Sequence, residues 1–441
     1  MNLLYMEQAG FIACVDFGTS DIIGLLGRRN EQDVISIIAS ESIPSDNCVK
    51  HGIVYNIDEA AGKIKKLLNL LENKVGKKIG KVYVSISGMS LKAIEHIQTQ
   101  RFPKETEITF AMLEEMQQQA RMNKFALLTN YSVVAPEIFL DSRLEQDYIG
   151  KKASTLEVRY RLIAGRPNIK ANLKRCITDK NQVDIAGYIV GPIATAALLL
   201  SEEEKQKGCA LIDFGGGTST VSIYTKGILR TISVIPFGGR TITRDIQSLG
   251  LPFDAAESFK IRYGQVGKDK NKQGGNKTAD DIDLKELNKI IGLRQDEILL
   301  NVINQIDESG YKDELGAGII LTGGASQMKG LPEYLAEKSK LPVKIGSIQR
   351  LYINNATDLL QDPSYAQSLG LMLFAKDDCE KVEPVKQEIH REPVSSKEAE
   401  QPVVKEEEPI SAVKEDKKKP KRGTIRKFFE GFGGTLFDEE E

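Results

Sequence analysis

Residues 15–21 read VDFGTSD, and residues 212–221 read IDFGGGTSTV. Each stretch closes an apolar run with an aspartate and then supplies glycine and hydroxyl side chains. Chemistry explains the spacing. Glycine lets backbone N–H groups approach a phosphate oxygen with no Cβ in the way. Thr19, Ser20, Thr218 and Ser219 add hydroxyl donors beside Gly18, Gly215, Gly216 and Gly217. Asp16 and Asp213 stand at strand ends, suited to holding hydrated Mg²⁺ on phosphates, because Mg²⁺ keeps several of its waters. Either carboxylate can instead orient an attacking water, and Asp213 is the candidate for that catalytic role. A lone DxGT is equally consistent with a plain strand–turn. Two copies, each after a strand and in separate halves of one chain, argue for a shared purpose. A third stretch, LTGGASQMKGL at 321–331, reads as strand, glycine pair and a helix starting near Ser326. That turn suits a nucleobase, or a phosphate at a helix N-terminus.

Outward from these turns, strand and helix patterns alternate. Phe11–Asp16, Lys81–Ile86, Cys209–Phe214 and Gly318–Thr322 are apolar strands, and Asp58–Glu72 has helical periodicity. The pattern predicts an α/β fold with largely parallel central strands. Gly264–Asp283 is polar and rich in Gly, Lys and Asn, which predicts an exposed loop. The chain has 441 residues, room for two to four domains at about 100–200 residues each. Its formal net charge of −2 argues against a nucleic-acid binder, whose footprint is a strongly basic domain. No apolar run reaches the roughly 18 residues of a membrane-spanning helix. The opening MNLLYMEQAGF lacks a basic region followed by a long apolar one, so no secretion signal is expected. Five cysteines without a CxxC fit reduced thiols inside a cell. Three histidines are too few for a His-rich metal site.

The order DFGTS, GPIATAALL (191–199), DFGGGTS, LTGGA and DPSYAQSLGL (362–371) resembles the actin-like ATPase superfamily. The five stretches look like its first phosphate loop, first connecting helix, second phosphate loop, adenosine loop and second connecting helix. The resemblance implies a two-lobed, ribonuclease-H-like α/β fold with ATP and Mg²⁺ between the lobes. It also implies that Pro192 and Pro363 open helices, where proline is tolerated. The stretch SVIPFGGRTITRDIQSLGLPFDAAESFKIRYGQ (233–265) narrows the resemblance to FtsA, the bacterial cell division family. By that likeness Gly239, Glu257 and Lys260 join Gly323, Gly324 and Ala325 in binding the nucleotide. Glu257 and Lys260 are otherwise an i,i+3 pair of the kind common on exposed helix faces. FtsA implies subdomain 1A over 1–84 and 166–206, an inserted subdomain 1C over 85–165, 2A over 207–237 and 316–376, and 2B over 238–315. Two departures stand out: Asp21 where lysine is common in the family, and Thr220 where aspartate is common.

From 377 to 422 the chain has no Phe, Tyr, Leu or Gly, and prolines recur at 384, 393, 402, 409 and 420. Such a segment buries too little apolar surface to offset its ordering entropy, so a disordered linker is expected. Hydrophobicity returns over 423–441. There Ile425, Phe428, Phe429, Phe432 and Leu436 fall on one helical face with lysines and arginines beside it. That pattern suits an amphipathic helix on an anionic membrane surface, and it also suits a helix docked on a protein. In FtsA the tail is the membrane anchor. The resemblance further implies self-assembly, recruitment of later division proteins, and binding of the FtsZ C-terminal peptide on 2B at the septum, on the cytoplasmic side of the membrane. Residues Arg294, Glu297 and Asn301 within KIIGLRQDEILLNVINQI (289–306) match that peptide site; they fit a solvated helix face as well. The expected function is an ATP-binding tether of the Z ring, at most a weak ATPase. The alternatives are a PilM-like assembly scaffold and a sugar-kinase or phosphatase type of enzyme.

Overall fold

The run FIACVD does form a strand, β1 (Ile12–Phe17), buried along its whole length. The DFGTS turn reverses the chain at once, so β2 (Asp21–Arg29) and then β3 (Ile35–Pro44) return antiparallel. The computed structural model describes residues 10–267, 282–348 and 352–381. A small hairpin, β4 (Val49–Lys50) and β5 (Ile53–Val54), leads into helix α1 (Ile57–Val75). Asn56 caps α1 by accepting from the Glu59 N–H, and Ala60, Ile64, Leu67, Leu68 and Leu71 form its buried stripe. Strand β6 (Lys81–Ile86) then lies parallel beside β1. An inserted layer follows: β7 (Lys92–Glu107), α2 (Phe110–Arg121), β8 (Thr129–Leu140), β9 (Arg143–Leu144) and β10 (Lys152–Gly165). Its antiparallel sheet, ordered β7-β10-β8-β9, has a core of its own around Ile138, Leu156, Tyr160 and Leu162. The chain returns through α3 (Asn168–Lys174), β11 (Asp184–Val190), α4 (Gly191–Leu199) and α5 (Glu202–Lys207).

The second half repeats the plan. Strands β12 (Cys209–Phe214), β13 (Ser219–Thr225) and β14 (Ile228–Ile235) form the same antiparallel meander around the second glycine turn. After α6 (Gly239–Ile246), α7 (Phe253–Tyr263) and α8 (Leu284–Glu308), β15 (Gly318–Thr322) pairs parallel with β12. Helix α9 (Leu331–Ser339), β16 (Val343–Ile345), β17 (Ile353–Asn354), α10 (Thr357–Gln361) and α11 (Ala366–Phe374) complete the described chain. The two main sheets run β11-β6-β1-β2-β3-β17 and β14-β13-β12-β15-β16. Followed from their meanders inward, they share one topology, with Asp16 and Asp213 at the same strand end. Helices α4 and α11 pack against each other, Pro192 opening α4 and Pro363 opening a 3₁₀ turn just before α11. Among the described residues, no helix is long and apolar enough to cross a membrane.

Several expectations need correction. The central sheets are mixed rather than largely parallel, because each glycine turn is a tight reversal and only antiparallel strands can follow one. The boundary expected at 84/85 falls inside β6. Residues 353–376 belong with the first sheet and its core, not with the second lobe: β17 pairs with β3, and Ala366, Leu369 and Met372 of α11 pack among first-lobe residues. The first residues of the expected linker are ordered, since Cys379 is buried and bonded through its backbone to Phe11, Gly80 and Lys81. After LTGGA a 3₁₀ turn intervenes, and the helix begins at Leu331. Gln265 and Val266, expected in an exposed loop, are buried beside the bridge that pairs Gln265 with Lys329. Residues 268–281 of that loop, the linker beyond 381, and the tail residues Ile425, Phe428, Phe429, Phe432 and Leu436 lie outside the described residues.

Candidate functional site

Between the lobes lies a cavity of about 600 Å³ lined by both glycine turns, α7 and the LTGGA turn. The turns meet face to face. A Cβ on Gly216 would fall 2.2 Å from the Ser20 Oγ, and one on Gly217 would fall 2.6 Å from the Thr19 side chain. A side chain at either position would have to displace the Ser20 or Thr19 side chain of the facing turn. The first turn is closed by the Gly18 N–H donating to the Asp21 carbonyl at 2.9 Å, and the second by Gly215 N–H donating to the Thr218 carbonyl at 2.9 Å. Gly323 adopts a left-handed φ of +84° and brings its backbone against Asp213; a Cβ there would stand 2.2 Å from Oδ1.

Asp16 is buried, and its Oδ1 accepts from Ser85 Oγ at 2.7 Å and Gln367 Nε2 at 2.6 Å. Burial raises its carboxyl pKa, while the bonds from Ser85 and Gln367 pull the other way. Asp213 faces it with no hydrogen bond or ion pair among the described residues. Burial, reinforced by the charge of Asp16, pushes its carboxyl up to about 7. A buried carboxylate and a half-buried one beside open glycine turns are a donor set short of positive charge, which a hydrated dication would supply. The residues therefore fit Mg²⁺ on a polyphosphate. Across the cavity, Lys260 Nζ donates to Gly239 O at 3.1 Å, Thr243 Oγ1 at 2.9 Å and Glu257 at 2.7 Å. The pair is not an exposed one: Lys260 is buried, and desolvation lowers its pKa against the pull of Glu257.

Asp16, Gly18, Thr19, Ser20, Asp213, Gly215, Gly216, Gly217, Thr218, Gly239, Glu257, Lys260, Gly323, Gly324 and Ala325 all line this cavity. Ser219 does not; it is fully buried and its hydroxyl donates to the Phe237 carbonyl at 2.8 Å. Elsewhere, Arg294 and Glu297 rim a shallow depression of about 490 Å³ between α6 and α8. There Arg294 Nη2 donates to Asp245 at 3.2 Å and its other nitrogens bind Asp245 and Glu297. Asn301 lies outside that depression, its amide donating to the Glu297 carbonyl at 2.8 Å.

A curated relative, cell division protein FtsA of Porphyromonas gingivalis (strain W83), is 30% identical over 394 residues, covering 86% of this chain and 80% of that one. The chain belongs to the FtsA family of cell division proteins. FtsA of Neisseria meningitidis serogroup B (strain MC58) is 31% identical over 378 residues, covering 83% of this chain and 90% of its own. The family model for cell division protein FtsA matches residues 210–370. Among solved structures, a chain of the PilM–PilN type IV pilus biogenesis complex superposes with a TM-score of 0.58 at 17% identity, covering 82% of this chain and 97% of that chain. That likeness shows the fold alone, which is the two-lobed actin-like α/β fold.

Within this FtsA-family chain, four further polar residues complete the site; Ser85 and His51 lie outside its sequence motifs, while Gln367 and Arg240 lie inside the stretches 362–371 and 233–265 without a role assigned there. Ser85 and Gln367 hold Asp16, His51 Nδ1–H donates to the Gly217 carbonyl at 2.9 Å, and Arg240 reaches the Thr19 carbonyl at 3.1 Å. Ser85 follows Val82, Tyr83 and Val84 in an apolar strand, and Gln367 lies in the first turn of α11. Neither position carries a chemical signal until the sheet brings β6 beside β1 and the core seats α11 against both. His51 and Arg240 act across the cleft, and although Arg240 follows the glycine pair at 238–239, the sequence does not show which turn its side chain reaches.

Proposed function

We propose that this chain binds ATP with Mg²⁺ between its lobes and serves as a peripheral membrane tether for the tubulin-like FtsZ, its assembly governed by the bound nucleotide. The observation that carries the reading is the pair of facing glycine turns, each following a strand-end aspartate, around one cavity. Asp16 and Asp213 would hold the hydrated metal, and Gly18, Thr19, Ser20, Gly215, Gly216, Gly217 and Thr218 would cradle the phosphates. Glu257, Lys260, Gly239 and the Gly323–Ala325 turn would border the nucleoside. Bound Mg²⁺ would supply charge neutralisation for the polyphosphate, and Asp213 would orient the attacking water. The inserted sheet would act as subdomain 1C, offering self-assembly and recruitment surfaces for later division proteins. Arg294, Glu297 and Asn301 would receive the FtsZ C-terminal peptide, and the tail from 423 would lie on anionic lipid. Clustering in a polymer would strengthen such an anchor, since each added tail raises the effective concentration of the rest.

The test is co-sedimentation with liposomes containing anionic lipid, comparing the full chain with a chain ending at Arg422, with and without ATP. Pelleting that ATP enhances and truncation abolishes is the expected result. Equal recovery of both chains in the supernatant would overturn the tether and leave a soluble actin-fold scaffold.

A further inference from the structure

Arg240 follows the glycine pair at 238–239 and opens α6, so its backbone belongs to the second lobe. Its N–H donates to the Gly216 carbonyl at 2.8 Å, which pins it to the second glycine turn. Its side chain crosses to the first: Nη1 donates to the Thr19 carbonyl at 3.1 Å. The guanidinium thus spans the two turns that face each other. It also lies 4.9 Å from the centroid of the Phe253 ring, a contact that holds its plane without using its N–H groups. Its Nε is buried and finds no hydrogen-bond partner among the described residues. A buried guanidinium N–H left unpaired is costly, and the residue that carries it lines the cavity.

The other cations lining the cavity do not serve this position. Lys260 is committed to Gly239, Thr243 and Glu257. Arg262 and Lys329 are exposed, on α7 and after the LTGGA turn. The first turn itself carries a carboxylate, Asp21, which lines the same cavity and is partly offset by the charge of Arg240. A cavity whose two turns bear Asp16, Asp213 and Asp21 needs positive charge from the protein wherever a polyphosphate extends beyond what one dication neutralises.

We propose that Arg240 reads the phosphate chain of the bound nucleotide: its guanidinium, held between the two glycine turns, supplies the protein's positive charge to a di- or triphosphate and so ties phosphate binding to closure of the cleft. The proposal rests on the reading of the cavity as a nucleotide site. Arginine suits the task because its planar fork gives two parallel bonds to phosphate oxygens and cannot lose its charge.

Calorimetric titration of the full chain with ATP, ADP and AMP, each with Mg²⁺, tests it on wild type, Arg240→Gln and Arg240→Lys. Thermal melting of the nucleotide-free proteins reports the fold of each. Arg240→Gln is expected to weaken ATP and ADP at least tenfold and AMP less than threefold, with a flatter dependence of ATP affinity on salt. Arg240→Lys, which keeps the charge but not the fork, is expected to recover only part of that loss. ATP binding by Arg240→Gln at wild-type strength overturns the role of Arg240 alone, and so does equal weakening of ATP and AMP, which would mean a misshapen cleft. A wild-type chain that binds none of the three overturns the nucleotide reading and this proposal with it.

Discussion

Asp213 lies near the end of β12 with its carboxyl toward Asp16 and against the Gly323 backbone, and nothing among the described residues compensates its charge. Its pKa of about 7 means that the folded, nucleotide-free protein binds a proton there more tightly than the unfolded chain does. The linkage follows directly: below pH ~4 the group is protonated in both states and costs nothing. As pH rises from there toward 7 the unfolded chain ionises first, and this group progressively destabilises the fold. Above 7 the penalty is complete. Asp213→Asn, which mimics the protonated form, is therefore expected to raise the melting temperature of the nucleotide-free protein by about 2–4 °C at pH 8, with little gain near pH 4. Equal shifts at both pH values would show that the carboxylate is not desolvated as described. The same residue illustrates what local pattern conveys. Its place at a strand end before three glycines is legible in sequence, whereas Asp16 and the Gly323 backbone are far away along the chain and meet it only through the sheets.

At the scale of elements, α8 shows how a surface helix carries both packing and recognition. Leu287, Ile291, Ile298, Leu299, Val302 and Ile306 bury one stripe, leaving Arg294, Glu297 and Leu293 on the outer side. Arg294 is drawn toward α6 by Asp245, and its side chain is about a quarter exposed. Because this ion pair is partly solvated, its contribution to stability is small, about 1 kcal/mol or less. Its value lies in holding the rim of the depression in place. Arg294→Glu sets three carboxylates together there and is expected to change the melting temperature by less than about 3 °C while abolishing detectable binding of the FtsZ C-terminal peptide in a fluorescence anisotropy titration. Unchanged peptide affinity would remove α8 from the proposed partner site. The resemblance to FtsA places a helix between 289 and 306. Its start at Leu284 and its pairing with α6 are not legible in the sequence, because Asp245 lies in a different sequence neighbourhood and offers no periodic signal.

For the whole molecule, the decisive feature is that the inserted layer touches both lobes. It grows from β6 of the first, yet β7 and β8 lie beside β14 of the second. There Arg230 grips Glu137 with two bonds, at 2.6 and 3.0 Å, while its Nε donates to Thr225 at 2.9 Å. Both side chains are buried to about a tenth exposure or less. Breaking such a pair strands a buried charge, which typically costs about 3–5 kcal/mol. Glu137→Gln is expected to lower stability by about 3 kcal/mol in urea unfolding, and the double change Glu137→Leu with Arg230→Met to recover most of that loss. A Glu137→Gln protein as stable as wild type would show that this contact does not hold the layer to the second lobe.

Periodicity, and chemistry carried within a few positions, are enough to specify the duplicated strand–glycine-turn units, the α/β class, the helical stripes and the residues that can meet a phosphate. The direction of the strands around each turn, the return of 353–381 to the first lobe and the burial of Lys260 emerge only once the lobes are assembled. So do the contacts of Ser85, Gln367, His51, Arg240 and Arg230 across sheets and lobes. Those features depend on which faces bury against one another, and burial is a property of the close-packed core rather than of any local stretch of chain.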